Sequence, residues 1–311
     1  MEEDLWQGRQ IFMNQQDMTQ RIAAGNGFIA ALDQSGGSTP KALRAYGVSD
    51  DEWSGEDEMF AQIHEMRCRI IRSPSFSGDK VVGAILFEKT MNGGVDGTPV
   101  PTALVEKGVV AFLKIDKGLE DEANGVQLMK PMPELDALLE RAKALGVFGT
   151  KERSVINAAD RDGIAAVVAQ QFEIGEQVLA HGLMPILEPE YSILASDRAE
   201  GEAILKGEIL KRLDSLDDGK KVMLKLSIPV VPGFYRELVE HPNVLKVVAL
   251  SGGYARDEAC QELSRNPGMI ASFSRALLDG LRAQMNDAEF DAELGEAIDV
   301  IHCASTEKVA A

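Results

Sequence analysis

The sequence predicts an α/β fold, a closed (β/α)8 TIM barrel with extra helices at its N- and C-terminal ends. Eight short aliphatic runs recur along the chain, helical segments lie between them, and no GxGxxG or Walker-type turn follows any run. Continuous apolar runs are typical of strands buried on both faces, and their alternation with helices indicates parallel βαβ units. The 311 residues suit one such barrel, and no linker or repeat divides them, so a single domain over 1–311 is expected.

The predicted strands alternate with the predicted helices along the chain. In chain order they are Phe28–Asp33, Val82–Glu88, Val110–Asp116, Val147–Lys151, Met184–Glu190, Val222–Ser227, Val244–Ser251 and Met269–Phe273. The predicted helices are Glu3–Ala23, Glu56–Ile71, Pro133–Leu145, Arg161–His181, Arg198–Leu213, Gly233–Glu240, Asp257–Ser264 and Asp287–Cys303. The first and last of these helices precede and follow the barrel.

The composition excludes several classes of function. The chain has 50 acidic and 32 basic residues and a net charge of −18, which argues against a general nucleic-acid binder or a protein of anionic membranes. Uncharged stretches such as Ile22–Leu32 are far shorter than a membrane span, and the acidic N-terminus is unlike an export signal. Three cysteines without a CxxC pair suit a reducing compartment, so a cytoplasmic protein is expected.

Residues at the ends of the predicted strands are mostly chargeable. In a TIM barrel the catalytic groups lie at these ends, which here are Asp33, Glu88, Lys114, Lys151, Glu188, Lys225, Ser251 and Arg275. A lone lysine at such a position commonly extends along apolar surface to solvent. Three lysines directed at one barrel mouth favour a binding site.

Lys225 is the candidate nucleophile. It lies in Val222–Pro229 with apolar neighbours on both sides. A desolvated ammonium crowded by other cations should have a lowered pKa, and the free amine then attacks a carbonyl carbon. The sequence therefore indicates a lysine able to form a Schiff base.

Carboxylates accompany the lysines. Glu188 and Glu190 bracket Pro189, and alternation along a strand directs both toward the barrel interior. One of them could move protons during formation of the Schiff base, or the pair could only neutralise neighbouring lysines. Asp33 is a second candidate acid or base.

Two Gly/Ser turns are candidate phosphate sites. Asp33–Thr39 follows the first strand and Leu250–Tyr254 follows the seventh, and each leads toward a helix. Backbone amides, serine hydroxyls and a helix N-terminus can together bind an anion, although Ser-Gly-Gly is often only a turn. Two such turns with Arg275 nearby indicate a ligand that carries phosphate at both ends.

The histidines give no sign of a metal site. His64, His181, His241 and His302 fall on predicted helices or loops and none ends a strand, so neither a metal nor another cofactor is expected. A metal-dependent reaction at this barrel is correspondingly disfavoured.

The motifs together resemble class I, Schiff-base-forming fructose-1,6-bisphosphate aldolase. The similarity extends from about Gly27 to Leu278, and the short C-terminus resembles the bacterial-type branch. The matching segments are Ala30–Ser38, Leu86–Thr90, Leu113–Gly118, Lys151–Arg153, Pro185–Glu190, Leu224–Lys225, Leu250–Gly253 and Phe273–Leu277.

The resemblance implies a reaction and a role for each residue. Fructose 1,6-bisphosphate would be cleaved reversibly to dihydroxyacetone phosphate and glyceraldehyde 3-phosphate, in glycolysis or gluconeogenesis, with Lys225 as the Schiff-base nucleophile and Glu188 as the acid/base. Asp33 would engage the C4 hydroxyl, and Lys151 would support charge near the reacting carbons. The implied phosphate and substrate contacts are Ser251, Gly252, Gly253 and Arg275 at C1, Ser35, Ser38 and Lys114 at C6, and Arg153 and Glu190 in addition.

The sequence departs from the family pattern at several points. Leu226 and Ser227 follow the lysine where Pro-Asn is common, Gln34 replaces an acidic residue, and no tyrosine lies in the C-terminal segment Thr306–Ala311. The donor of the enamine proton is therefore left open. A Schiff-base aldolase or transaldolase for another phosphosugar is the nearest alternative, and a barrel that only binds phosphosugars or proteins is a more distant one. Oligomeric state stays open, with a homodimer as one option.

Overall fold

The computed structural model describes residues 13–309 and confirms the predicted fold class. Eight parallel strands pair with their chain neighbours in sequence order. They are β1 (Phe28–Leu32), β2 (Val81–Leu86), β3 (Val110–Lys114), β4 (Gly149–Ile156), β5 (Met184–Tyr191), β6 (Val222–Ser227), β7 (Val244–Leu250) and β8 (Met269–Ala271). The Ala31 N–H donates to the Phe273 carbonyl at 3.1 Å, which joins β8 to β1 and closes the ring.

Helices lie between and around these strands. They are α1 (Gln15–Ala24), α2 (Ser38–Tyr46), α3 (Gly55–Arg72), α4 (Glu88–Met91), α5 (Val100–Glu106), α6 (Leu135–Ala144), α7 (Arg161–Ala180), α8 (Arg198–Leu213), α9 (Arg236–Val239), α10 (Arg256–Ser264), α11 (Arg275–Leu278) and α12 (Asp287–Thr306). A two-residue strand, Val126–Gln127, pairs antiparallel with β4, and Gly94–Val95 pairs with Thr98–Pro99. Within residues 13–309, none of the helices is long and apolar enough to cross a bilayer.

The hydrophobic core has two layers because side chains alternate along each strand. One layer fills the barrel interior, where the rings of Phe112 and Phe148 meet edge to face at 5.5 Å between centroids. The other layer lies between the strands and the surrounding helices. The interior apolar layer ends below Lys225, so the polar side chains lie at the carboxyl ends of the strands.

Helix α1 covers the opposite, amino-terminal end of the barrel. Its buried residues Met18 and Ile22 pack on the interior layer. The Asn14 side chain accepts a hydrogen bond from the Asp17 N–H and caps the helix. The prediction of a helix over Glu3–Ala23 is confirmed from Gln15 onward. Met13 and the capping residue Asn14 are not helical, and residues 3–12 lie outside the described residues.

The main difference from the predicted elements is in the fourth strand. The sequence predicts Val147–Lys151, whereas β4 runs from Gly149 to Ile156. Lys151 and Arg153 face the barrel mouth, while Glu152 and Ser154 are buried against the helix layer with polar partners. A strand that is polar on both faces has no hydrophobic signal, so its second half could not be recognised.

Two predicted strand ends belong instead to short helices. Strand β2 stops at Leu86 and Glu88 begins α4, while β8 stops at Ala271 and Arg275 begins α11. Both residues still face the barrel mouth, because each helix starts directly above its strand. The α9 helix is also shorter than predicted, spanning Arg236–Val239.

Candidate active site

A cavity of about 1150 Å³ lies at the carboxyl ends of the barrel strands. Every site residue predicted from the sequence lines it. These residues are Asp33, Ser35, Ser38, Lys114, Lys151, Arg153, Glu188, Glu190, Lys225, Ser251, Gly252, Gly253 and Arg275. Side chains from seven of the eight strands, or from the turns that follow them, therefore converge on one space, as the barrel geometry requires.

Four ionisable groups form a continuous buried chain at the cavity floor. Lys151 Nζ lies 2.7 Å from Asp33 Oδ2 and 2.9 Å from Glu188 Oε2. The other oxygen of that glutamate, Oε1, lies 3.0 Å from Lys225 Nζ. All four residues are at most 8% exposed, so the interactions operate with little screening by water.

The charges in this chain stabilise one another. Burial alone would raise the pKa of Asp33 and of Glu188, but the positive charges of Lys151 and Lys225 outweigh it and hold both pKa values below their ordinary range. Burial would lower the pKa of Lys151, but Asp33 and Glu188 outweigh it and raise that pKa. At neutral pH Asp33 and Glu188 are therefore carboxylates and Lys151 is an ammonium, and Glu188 Oε1 lies within hydrogen-bonding distance of Lys225 Nζ, at 3.0 Å.

Gln171 of α7 holds the backbone of the central glutamate. Its side-chain oxygen accepts the Glu188 backbone N–H at 3.1 Å, and its amide nitrogen donates to Ser154 Oγ at 2.6 Å. This bridge ties β5 to β4 from the helix side. Within the described residues, Glu188 Oε2 forms an ion pair with Lys151 but accepts no hydrogen bond of favourable geometry. This oxygen can therefore accept a hydrogen bond from a ligand.

A second pair of ion contacts lies above the floor. Lys114 Nζ donates to Asp116 Oδ1 at 2.5 Å and to the Asp116 carbonyl at 3.0 Å, while Arg153 Nε contacts Glu190. Burial lowers the pKa of Lys114, and Asp116 opposes that shift. Sequence reasoning did not select Asp116, although its position two residues after Lys114 is the signal that could have found it.

The turn after β7 brings backbone and guanidinium groups together. Gly252 and Gly253 have φ values of 62° and 127°, which other residues rarely adopt. A Cβ at Gly253 would lie only 3.4 Å from Arg275 Nη2, so the guanidinium lies directly beside this turn. Ser251 lines the cavity at the same place, and the group has the donors that an anion requires.

The turn after β1 is fixed by a buried arginine. Arg67 of α3 donates to the Gln34 carbonyl at 2.6 Å and to its side-chain oxygen at 3.1 Å. Gln34 in turn donates to Ser274 Oγ at 2.6 Å, which links this turn to the start of α11. Within the turn, Ser38 Oγ accepts the Ser35 N–H at 2.9 Å. The turn after β1 is thus tied to the segment that carries Arg275.

Sequence reasoning missed four further cations that line the cavity. They are Lys41, Lys117, Arg256 and Arg282. Lys117 is paired with Glu88 at 2.7 Å, and Arg256 Nε donates to the Ala276 carbonyl at 2.7 Å. Lys41 could have been found from its position three residues after Ser38 on the same helix. The other three lie on loops or helix ends whose direction the sequence does not reveal.

The described residues, 13–309, contain no group of three or more His, Cys, Asp or Glu side chains that could hold a metal ion. What the arrangement does contain is a buried amine beside a carboxylate, with cations and glycine turns around the rim. These groups can form an imine with a carbonyl compound, transfer protons at it and bind anionic substituents.

Comparison with known proteins agrees with this geometry. The structure of fructose-bisphosphate aldolase from Plasmodium falciparum, in complex with TRAP and a small-molecule inhibitor, is similar with a TM-score of 0.74 and 20% identity over 95% of this chain and 96% of that chain. A Corynebacterium glutamicum protein is similar with a TM-score of 0.50 and 15% identity over 92% and 91% of the two chains. Both show the fold. The family model "Fructose-bisphosphate aldolase class-I" matches residues 15–205, so the chain belongs to that family.

Proposed function

We propose that this protein is a fructose-1,6-bisphosphate aldolase, an aldehyde-lyase of EC class 4.1.2.13, that works through a Schiff base on Lys225. The reaction is the reversible cleavage of the open-chain sugar to dihydroxyacetone phosphate and glyceraldehyde 3-phosphate. The observation that carries the proposal is the buried chain in which Glu188 contacts Lys225 on one side and Lys151 on the other.

The chain of four residues supports the chemical steps as far as cleavage of the C3–C4 bond, which leaves an enamine on Lys225. A further proton donor must protonate that enamine before water releases the product. Glu188 takes a proton from Lys225, and the free amine adds to the C2 ketone to give a carbinolamine. Protonation of its hydroxyl by the same glutamate releases water and leaves the iminium. The C3–C4 bond then breaks as its electron pair moves into the iminium, while the proton of the C4 hydroxyl passes to Asp33. Lys151 contacts both carboxylates and keeps them in place during these transfers.

The two ends of the cavity support a substrate with two phosphates. Ser251, the glycine turn and Arg275 would bind the C1 phosphate, and the turn of Ser35 and Ser38 with Lys114 would bind the C6 phosphate. Lys114 Nζ makes two contacts to Asp116, which leaves one N–H for a ligand. Arg153 and Glu190 would make additional contacts with the sugar.

The free cysteines support a cytoplasmic setting for this reaction. Cys68 and Cys260 are buried, Cys303 is exposed, and none of them is in a disulfide. This is the usual state in a reducing compartment. We therefore include the cytoplasm in the proposal, with glycolysis or gluconeogenesis as the pathway.

A comparison of two substrates tests the bisphosphate preference. The wild type should cleave fructose 1,6-bisphosphate with a kcat/KM about 10- to 100-fold above that for fructose 1-phosphate, because charge-assisted contacts hold the second phosphate. Lys114→Met should remove most of this preference and change cleavage of fructose 1-phosphate little. Equal rates on both substrates in the wild type would contradict the bisphosphate assignment and favour a Schiff-base enzyme for another phosphosugar.

A further inference from the structure

Strand β5 loses its pairing with β6 at the level of Glu188. In the described part of the chain, residues 186–187 of β5 pair with residues 223–224 of β6, and the ladder between these strands ends there. The next residue of β5 whose backbone nitrogen faces β6 is Pro189, which has no N–H to donate. The contact between Glu188 and Lys225 therefore lies where the backbone ladder holds β5 from the β4 side.

The backbone N–H of Glu188 points toward β4. Just after β5, the Ser192 N–H donates to the Ile156 carbonyl of β4 at 2.8 Å. Alternation along a strand gives every second N–H the same direction, so the Glu188 N–H also faces β4. The register, which pairs Arg153 with Glu188, places the Glu152 carbonyl opposite this N–H.

Gln171 of α7 contacts these same two backbone groups. Its side-chain oxygen accepts the Glu188 N–H at 3.1 Å, and its side-chain nitrogen donates to the Glu152 carbonyl at 3.3 Å. The nitrogen also donates to Ser154 Oγ at 2.6 Å, and Gln171 is 1% exposed. A buried amide with three partners has little freedom to turn, so it holds the backbone of Glu188 from the helix layer.

The carboxylate that this backbone carries has to meet two lysines at once. Glu188 Oε2 lies 2.9 Å from Lys151 Nζ, and Oε1 lies 3.0 Å from Lys225 Nζ. A backbone shift of about 1 Å would lengthen at least one of these contacts, and a misplacement of that size can lower a rate about 100-fold. The position of the Glu188 backbone therefore matters for proton transfer at Lys225.

We propose that Gln171 is a positioning residue for the reaction: its side chain supplies, from the helix layer, the support that β5 lacks on the β6 side, and it keeps Glu188 within reach of Lys225. This rests on the proposed function, in which Glu188 exchanges protons with Lys225. Gln171 is buried on the helix side of β4 and β5, so it acts through Glu188 and does not touch the substrate.

Replacing the amide by a thioether of similar size tests this role. In Gln171→Met, kcat on fructose 1,6-bisphosphate should fall about 10- to 100-fold, because Glu188 is no longer held. KM should change by less than about threefold, because the phosphate contacts at the rim remain. Gln171→Glu keeps an oxygen that accepts the Glu188 N–H and should bring kcat back to within about fivefold of the wild type.

A pH profile separates positioning from a purely structural role. Burial raises the pKa of Glu188, and the charges of Lys151 and Lys225 outweigh it and lower that pKa. When the contacts with the lysines lengthen, less of this lowering remains. The acidic limb of kcat should therefore move to higher pH in Gln171→Met.

Gln170→Met is the matched control. Gln170 is the preceding residue of α7, and its side chain likewise bridges a backbone, since it accepts the Met129 N–H and donates to the Met129 carbonyl, each at 2.9 Å. The variant loses the same kinds of hydrogen bond at a loop outside the buried chain of four. It should keep kcat within about twofold of the wild type and the wild-type pH profile.

A folded Gln171→Met with wild-type kcat and an unmoved acidic limb would overturn the inference, as would an equal loss of kcat in Gln170→Met. If Gln171→Met does not fold, Ser154→Ala loosens the same amide by removing its 2.6 Å partner. Its kcat should fall about threefold with the same shift of the acidic limb, and wild-type behaviour there would overturn the inference. Absence of a borohydride-trapped adduct of dihydroxyacetone phosphate on the wild type would instead overturn the proposed function, and the inference with it.

Discussion

Glu188 shares its two oxygens between two lysines, and this sharing sets the pH range of the site. The lowered pKa values of Glu188 and Asp33 mean that their stabilising contribution is present at neutral pH and is lost as pH falls through those lowered values. The raised pKa of Lys151 means that its contribution is present below about 10.4, the ordinary value, and is lost only at higher pH. The ionised cluster is therefore intact across the neutral range.

The pKa of Glu152, which lies beside this cluster, is shifted in the opposite direction from those of Glu188 and Asp33. Glu152 faces the helix layer and is fully buried, and within residues 13–309 its carboxyl group has a single hydrogen bond, from Thr150 at 3.3 Å. Burial therefore raises its pKa well above the ordinary value. The folded state then holds a proton that the unfolded state releases, and stability falls as pH rises above about 4.3.

Glu152→Gln should remove this pH dependence. Thermal unfolding followed from pH 5 to pH 8 should show the variant gaining on the wild type as pH rises, because glutamine carries no titrating proton. Glu173→Gln, at an exposed position on α7, is the control and should follow the wild type. A difference between Glu152→Gln and wild type that stays constant with pH would contradict the assignment.

The alternation of side chains along each strand was enough to predict which residues meet in the cavity. It did not show which other residues hold them in position. Lys151, Glu188 and Lys225 could be selected because alternation along a strand determines which residues face the interior. Gln171 and Arg67 could not, because their partners depend on which residue of a helix lies against a given strand.

At the scale of elements, residues that stabilise the barrel at its amino-terminal end lie far from the residues of the candidate site. Helix α1 covers the amino-terminal end with Met18 and Ile22, while the candidate site occupies the other end. Ile22→Ala should lower the free energy of unfolding by about 2–5 kcal/mol through the cavity it leaves. Its kcat on fructose 1,6-bisphosphate at 25 °C should stay within twofold of the wild type.

Gln16→Ala is the control for this helix, because Gln16 is exposed, and denaturant unfolding should give it nearly wild-type stability. A large loss of kcat in folded Ile22→Ala would contradict the separation of the two barrel ends. Hydrophobic periodicity detects some elements of this fold and misses others. A helix in the region of α1 was predicted, whereas the polar second half of β4 was not.

At the scale of the molecule, a net charge of −18 coexists with a cationic cavity. The barrel makes this possible, because its strands bring distant residues such as Lys114, Lys225 and Arg275 to one mouth while acidic segments such as Asp50–Asp57 remain outside. The overall charge therefore does not predict the charge of the ligand. The local arrangement of cations is more informative, and it is one reason for the proposal of a doubly phosphorylated sugar.

The central claim is that Lys225 forms the covalent intermediate. The protein should be incubated with dihydroxyacetone phosphate, reduced with borohydride and mapped by mass spectrometry of its peptides, with Lys225→Met as the comparison. We expect one adduct, on Lys225, and neither an adduct nor measurable cleavage in the variant. An adduct on Lys151 or Lys114, no adduct on the wild type, or cleavage that persists in Lys225→Met would contradict it.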